Sequence, residues 1–226
     1  MRKDLEKKLK KYFEENAEFY DDFHISYTME NIEDYLNGGD EVDLLAQVAY
    51  AIGEKSRHKT TGHDRFFKYL IEHNGLGQDI LEVSSGAYPI LADKIDKYQT
   101  KIGKGTITAI DPLLIPTNLG NIKLNRSLFD KDTDISKYSL VTGYYPCEPT
   151  YDIIVKANEE DKDFTIALCG CTHFNKLYPY FGMASYNTWI NFLYNTAMAT
   201  VSQNREIVME DVEGFEYPLI LSRIKK

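Results

Sequence analysis

Asp79-Ile80-Leu81-Glu82-Val83-Ser84-Ser85-Gly86-Ala87-Tyr88-Pro89 is the stretch from which the rest of this chain can be read. A short apolar run ends in an acid and a valine, and a turn of small residues follows. Pro89 then stands where a helix begins, a position at which its missing N–H costs nothing. A second apolar run, Thr106-Ile107-Thr108-Ala109-Ile110, ends in Asp111, 29 residues beyond Glu82. The order is strand, turn, helix, strand, with a carboxylate at the tip of the second strand. Such a unit holds nucleotide-like ligands: backbone N–H groups and a helix N-terminus face the ligand, and the distal acid takes the ribose hydroxyls. The interval exceeds the roughly 20 residues usual for that unit, and Tyr98–Gly105 reads as the loop that lengthens it.

Outward from this unit, short apolar runs alternate with helical patterns, the signature of an α/β sheet. Strands are expected over 79–84, 106–110, 121–128, 138–145 and 163–170, and helices over 89–98 and Glu148–Asn158. Residues Ser185–Gln203 carry Trp189, Phe192, Leu193, Thr196, Ala197 and Thr200 on one helical face. Two closing strands, 205–212 and 217–224, are separated by Glu213-Gly214-Phe215-Glu216, a loop that permits an antiparallel pair. Residues 1–78 read as helical. Leu5, Leu9, Tyr12, Phe13 and Phe19 form one apolar stripe, Asn31–Leu36 a short turn or helix, and Asp40 caps a helix through Gly53. Asp64 caps another helix that stops near Asn74-Gly75. The expected organisation is a helical cap over 1–78 and a Rossmann-like domain over 79–226.

The 226 residues are enough to bury a core, and 43% hydrophobic with 13% aromatic content is globular. The formal net charge of −9 repels phosphate backbones and anionic membrane surfaces. No apolar run approaches the roughly 20 residues that span a bilayer, and the charged start Met1-Arg2-Lys3-Asp4 has no signal-peptide core. Three cysteines, Cys147, Cys169 and Cys171, cannot all pair with one another and read as reduced thiols. A small-molecule partner, no nucleic acid, no membrane and a cytoplasmic location are the expectations; the oligomeric state is left open.

Seven mostly parallel strands with a terminal antiparallel strand and helical crossovers resemble the class I S-adenosylmethionine-dependent methyltransferases. Glu82-Val83 match the opening of that family's first-strand motif, Gly86 keeps its middle glycine, and Ser84 and Tyr88 stand at its first and third glycines. The resemblance implies S-adenosylmethionine as cofactor, held by Glu82, Ser84, Gly86, Tyr88, Asp111, Pro112 and Asp130. Asp111 would take the ribose and Asp130 the adenine amine, with Leu128 or Phe129 packing on the base. At the fourth strand's end, Gly143-Tyr144-Tyr145-Pro146-Cys147-Glu148-Pro149 lacks the Asn/Asp-Pro-Pro-aromatic signature of amino-directed base methylation. It leaves Tyr145 to line the methyl path and Glu148 as base or amine anchor, or simply as a helix cap. After the fifth strand, His173 is a further candidate base. Cys147, Cys169 and Cys171 read as small apolar residues; a metal cluster of the three with His173 stays open as an alternative, although paired cysteines of common structural zinc sites are more widely spaced. The connector Arg57–His63 and the run Tyr178-Pro179-Tyr180-Phe181 are further candidate walls. The function expected is methyl transfer to a small molecule. The alternatives are an inactive methyltransferase-like scaffold, transfer of another group from the same cofactor, and NAD binding on the same sheet plan.

Overall fold

The computed structural model describes residues 2–17, 22–37, 48–49, 52, 62–114, 119–170 and 186–225. Among the described residues, four helices precede the sheet: α1 (Arg2–Glu15), α2 (Asp22–Glu30), α3 (Ile32–Leu36) and α4 (Gly62–His73). Then follow β1 (Ile80–Val83), α5 (Ile90–Ile102), β2 (Ile107–Ile110), β3 (Lys123–Asn125), β4 (Leu140–Tyr144), α6 (Thr150–Glu159), β5 (Asp163–Ala167), α7 (Tyr186–Thr200), β6 (Arg205–Glu210) and β7 (Leu219–Ile224). The seven strands form one sheet in the order β3-β2-β1-β4-β5-β7-β6. Neighbours from β3 to β5 are parallel, while β7 pairs antiparallel with both β5 and β6. One strand therefore runs against the rest, slotted in from the hairpin that follows β6.

Side-chain alternation sorts this sheet's two faces. Leu81, Val83, Val141, Phe164 and Ile166 point to one face, where they pack with Ile153, Ile154 and Ala157 of α6 and Trp189, Leu193 and Ala197 of α7. Ile80, Ile107, Ala109, Leu140 and Ala167 point to the other, against Phe66 and Leu70 of α4 and Leu91 and Ile95 of α5. Parallel strands buried on both faces need such continuous apolar runs. The chain leaves β1 toward β2 on one side and leaves β4 toward β5 on the other. Right-handed crossovers then place α5 and α6 on opposite faces. A third cluster joins Leu5, Leu9 and Phe13 of α1 to Ile32 of α3, Val48, Ala49 and Ala87. Ala87 lies in the turn between β1 and α5, so the N-terminal helices pack directly on that turn.

Several boundaries differ from the sequence expectation. Helix α5 runs on to Ile102 rather than stopping at 98, so the long interval between Glu82 and Asp111 is helix and not loop. Its last turn is anchored by buried Gln99, whose amide donates to the carbonyls of Leu76 (2.9 Å) and Gln78 (2.8 Å). Gly103, left-handed at φ 67°, closes it. Helix α4 begins at Gly62, two residues before Asp64, which sits inside its first turn. The stripe from Leu5 ends at Glu15, and α2 is an additional helix of weak amphipathic pattern. Strand β3 shrinks to three residues, and the connection from β3 to β4 carries no helix; Phe129, Ile135 and Tyr138 cover the sheet instead. Most of the helix read over 40–53, most of the 57–63 connector, and the 178–181 run lie outside the described residues.

Candidate functional site

Strand order reverses between β1 and β4, and the crevice past their C-terminal ends is where open α/β sheets take ligands. Three loops build it. The first leaves β1 through Ser84, whose φ of 59° is left-handed, and Gly86 at 71°. A serine in that conformation carries about 1–2 kcal/mol of strain that glycine would not, and its position is where the family motif has its first glycine. Its hydroxyl is tied down, donating to the Pro146 carbonyl at 3.1 Å and so joining the β1 and β4 loops. The Gly86 N–H donates to Oδ2 of Asp111 at 3.0 Å, and the Leu113 N–H donates to Oδ1 at 2.8 Å. Asp111 thus holds the β1 turn and its own loop together. Burial raises its carboxyl above the ordinary range while the Leu113 and Gly86 N–H groups pull it back down.

Beneath this turn Glu82 is 2% exposed and accepts the Ala92 N–H of α5 at 3.0 Å. Burial pushes it up to about 8 against the pull of that hydrogen bond, and the charge of Asp111 adds to the rise. At neutral pH Glu82 is held largely protonated within the fold, and Asp111 is the acid that reaches the crevice.

The third loop follows β4. Tyr145 (φ 55°) and Cys147 (φ 51°) are both left-handed. Of the four non-glycine residues with positive φ among the described residues, Ser84, Tyr145 and Cys147 border this crevice and only Asp161 lies elsewhere. Backbone strain concentrated in this way is held by the surrounding structure and marks functional sites. Tyr145 stacks on Tyr144 at 4.2 Å, and Tyr144 packs on His63 of α4 at 4.5 Å. Burial, then the nearby Lys94 charge, lowers His63 to about 4, so its ring is neutral. Gly62 lets α4 approach this closely: a Cβ there would lie 1.8 Å from the Tyr144 hydroxyl.

The crevice is a cavity of about 730 Å³. Ser84, Asp111, Pro112, Asp130, Tyr145 and Glu148, six of the residues singled out in the sequence, line it together. Glu82 and Gly86 lie behind the wall, acting on it through Ala92 and Asp111. Tyr88 is half-buried and does not line the cavity. His173 lies outside the described residues. Asp130 is exposed and built into a turn, its Oδ1 accepting the Asp132 N–H and the Thr133 hydroxyl. The sequence reading passed over Leu113 and Asp152, which also line the cavity. Asp152 lies in the first turn of α6 while Glu148 precedes that helix, so no helical spacing in the sequence joined the two. Leu113 and Leu128 are 45% and 69% exposed, two large apolar side chains left open at the cavity wall.

Asp111, Asp130, Glu148 and Asp152 contribute four carboxyl groups to the wall, and among the described residues that line it there is no lysine, arginine or histidine. The sheet carries the deciding mark of its type, a single antiparallel strand between the fifth and the edge strand of a seven-stranded sheet. The fold is class I methyltransferase-like. Solved structures similar to the chain include a precorrin-6y C5,15-methyltransferase from Geobacter metallireducens, 10% identical, with a TM-score of 0.40 over 73% of this chain and 88% of that one. A variant of the 16S rRNA (adenine(1408)-N(1))-methyltransferase from Catenulisporales acidiphilia is 13% identical, with a TM-score of 0.38 over 74% and 92%. A DhpI-SAM-HEP complex is 12% identical, with a TM-score of 0.43 over 88% and 95%. No family model and no curated protein matches the sequence.

Proposed function

We propose that the chain binds S-adenosylmethionine in the crevice and transfers its methyl group to a small-molecule acceptor. The observation that carries this reading is the charge of the wall. A dinucleotide would bring two phosphates against four carboxyl groups, and the Gly86 N–H that could greet a phosphate already serves Asp111. A ligand with a cationic sulfonium and ammonium, two ribose hydroxyls and an apolar base suits the same wall. Asp111 keeps spare lone pairs on both oxygens for the hydroxyls. Leu113, Leu128 and Phe129 offer the base an apolar seat, with Asp130 beside them for its amine. When bound, the cofactor supplies an activated methyl group, and the protein's part is chiefly orientation. Tyr145, fixed by its stack on Tyr144, lines the acceptor side. Glu148 takes the proton an acceptor releases or anchors its amine.

The net charge of −9 disfavours a nucleic-acid acceptor. No helix among the described residues is long and apolar enough to cross a membrane, and a cytoplasmic location goes with the proposal. Residues 1–78 are proposed as a cap, on the strength of the contact between α1 and Ala87.

Calorimetry with S-adenosylmethionine, S-adenosylhomocysteine and NAD tests the reading. Saturable binding of the first two at about 100 μM or tighter is expected, with none for NAD. Asp111→Ala should abolish binding and Asp111→Asn, which keeps one acceptor for the loop, should weaken it, with folding of both checked by circular dichroism. No heat from either cofactor at millimolar concentration would overturn the proposal. Binding without turnover of a labelled methyl group across an acceptor panel would move the chain to the scaffold reading, toward which the strained Ser84 in place of glycine points.

A further inference from the structure

Past the last paired residues of β4 and β5, Tyr144 opposite Ala167, the two chain segments leave the sheet as neighbours and bring two thiols together. Cys169 Sγ donates to Cys147 Sγ at 3.2 Å, and neither cysteine is in a disulfide. That separation is only about 1.2 Å longer than an S–S bond. The two thiols differ in access. Cys147 is half-buried and lines the cavity, whereas Cys169 is 9% exposed beneath it. The movement needed falls on a loop and not on a strand. Cys147 sits in the irregular segment Tyr145–Pro149, where Tyr145 and Cys147 are in left-handed conformations.

We propose that Cys147 and Cys169 form an oxidisable dithiol, with Cys147 as the entry sulfur and Cys169 as the resolving one. The co-reactant is a low-molecular-weight disulfide. The Cys147 thiolate attacks one sulfur of that disulfide, forming a mixed disulfide and expelling one small thiolate. The Cys169 thiolate then attacks Cys147 Sγ, closing the Cys147–Cys169 bond and expelling the second. The protein loses two electrons and two protons, and the small disulfide is reduced to two thiols. Proximity drives the exchange rather than a charge partner, since the wall that holds Cys147 carries carboxyl groups and, among its described residues, no cation. A disulfide whose entry sulfur lines the cavity can be reached by small thiols and so responds to redox poise. Closing it would tie the cavity wall from Tyr145 to Glu148 to the end of β5.

The test is exposure of the full chain to oxidised glutathione at mildly alkaline pH, followed by intact mass and non-reducing peptide mapping. The wild type should lose two hydrogens, retain no glutathione, and yield one cross-linked peptide pair holding Cys147 and Cys169, restored by dithiothreitol. Cys169→Ser should trap a single glutathione on Cys147. Cys147→Ser should resist modification at Cys169, and Cys171→Ser should behave as the wild type. A stable glutathione adduct on the wild type, a cross-link through Cys171, or no reaction at all would each overturn the proposal. None of these readouts depends on methyl transfer, so failure of one idea leaves the other intact.

Discussion

Glu82 shows how one buried acid couples the turn to pH. Its carboxyl is raised from the ordinary carboxylate range to about 8, so the folded state holds a proton that the unfolded chain gives up near pH 4.5. The stabilisation is fully present below that lower value. It declines as pH rises toward 8, at no more than about 1.4 kcal/mol per pH unit, and is flat above. Glu82→Gln keeps the shape without the charge. Urea denaturation between pH 5 and 9 should show the wild type losing stability with rising pH and the variant losing distinctly less; equal slopes would mean that Glu82 ionises freely in the fold. Asp111, 8% exposed, was legible as an acid at a strand tip. Its grip on the Gly86 N–H was not, because sequence records no distance between a turn and a loop 25 residues away.

At the level of the element, β6 is an edge strand joined to the sheet only through β7, and a second fastening secures its start. The buried Arg205 guanidinium donates from Nε to Asp161 Oδ1 (2.7 Å), from Nη1 to Asp163 Oδ1 (2.6 Å) and from Nη2 to the Asp161 carbonyl (2.8 Å). It therefore pins β6 to the turn that leads into β5. Arg205→Leu should lower stability by about 2 kcal/mol, the scale of hydrogen bonds to charged groups. Arg205→Lys should recover only part, because an ammonium has no planar fork to span both carboxylates. Guanidinium denaturation measures both, and full recovery by lysine would show that charge alone fastens the strand. The helices and most strands were readable from periodicity, and their ends were not. Helix α5 outran its expected stop because Gln99 finds carbonyl partners on a loop distant in sequence, and β3 is short because its ladder with β2 ends at Ile110 opposite Asn125.

Across the whole molecule, two apolar clusters cover the sheet and a third joins α1 and α3 to the turn at Ala87. Leu9 is fully buried in that third cluster. Leu9→Ala should cost about 3 kcal/mol there without disturbing the sheet. Amide exchange is expected to quicken in α1 and α3 while β4, β5 and β7 keep their protection. A uniform loss of protection would instead make the N-terminal helices one cooperative unit with the sheet.

The sequence by itself determined the sheet's existence, its alternation with helices, its antiparallel finish and the acid at the end of β2. These follow from local periodicity and from the few connections the chain allows. The tertiary structure alone decided the arrangement at the crevice: which acids share one wall, that Asp111 seals the Gly86 amide, and that Cys147 meets Cys169. Each of those depends on loops leaving different strands and converging at the point where strand order reverses, and no spacing within a single segment encodes that convergence.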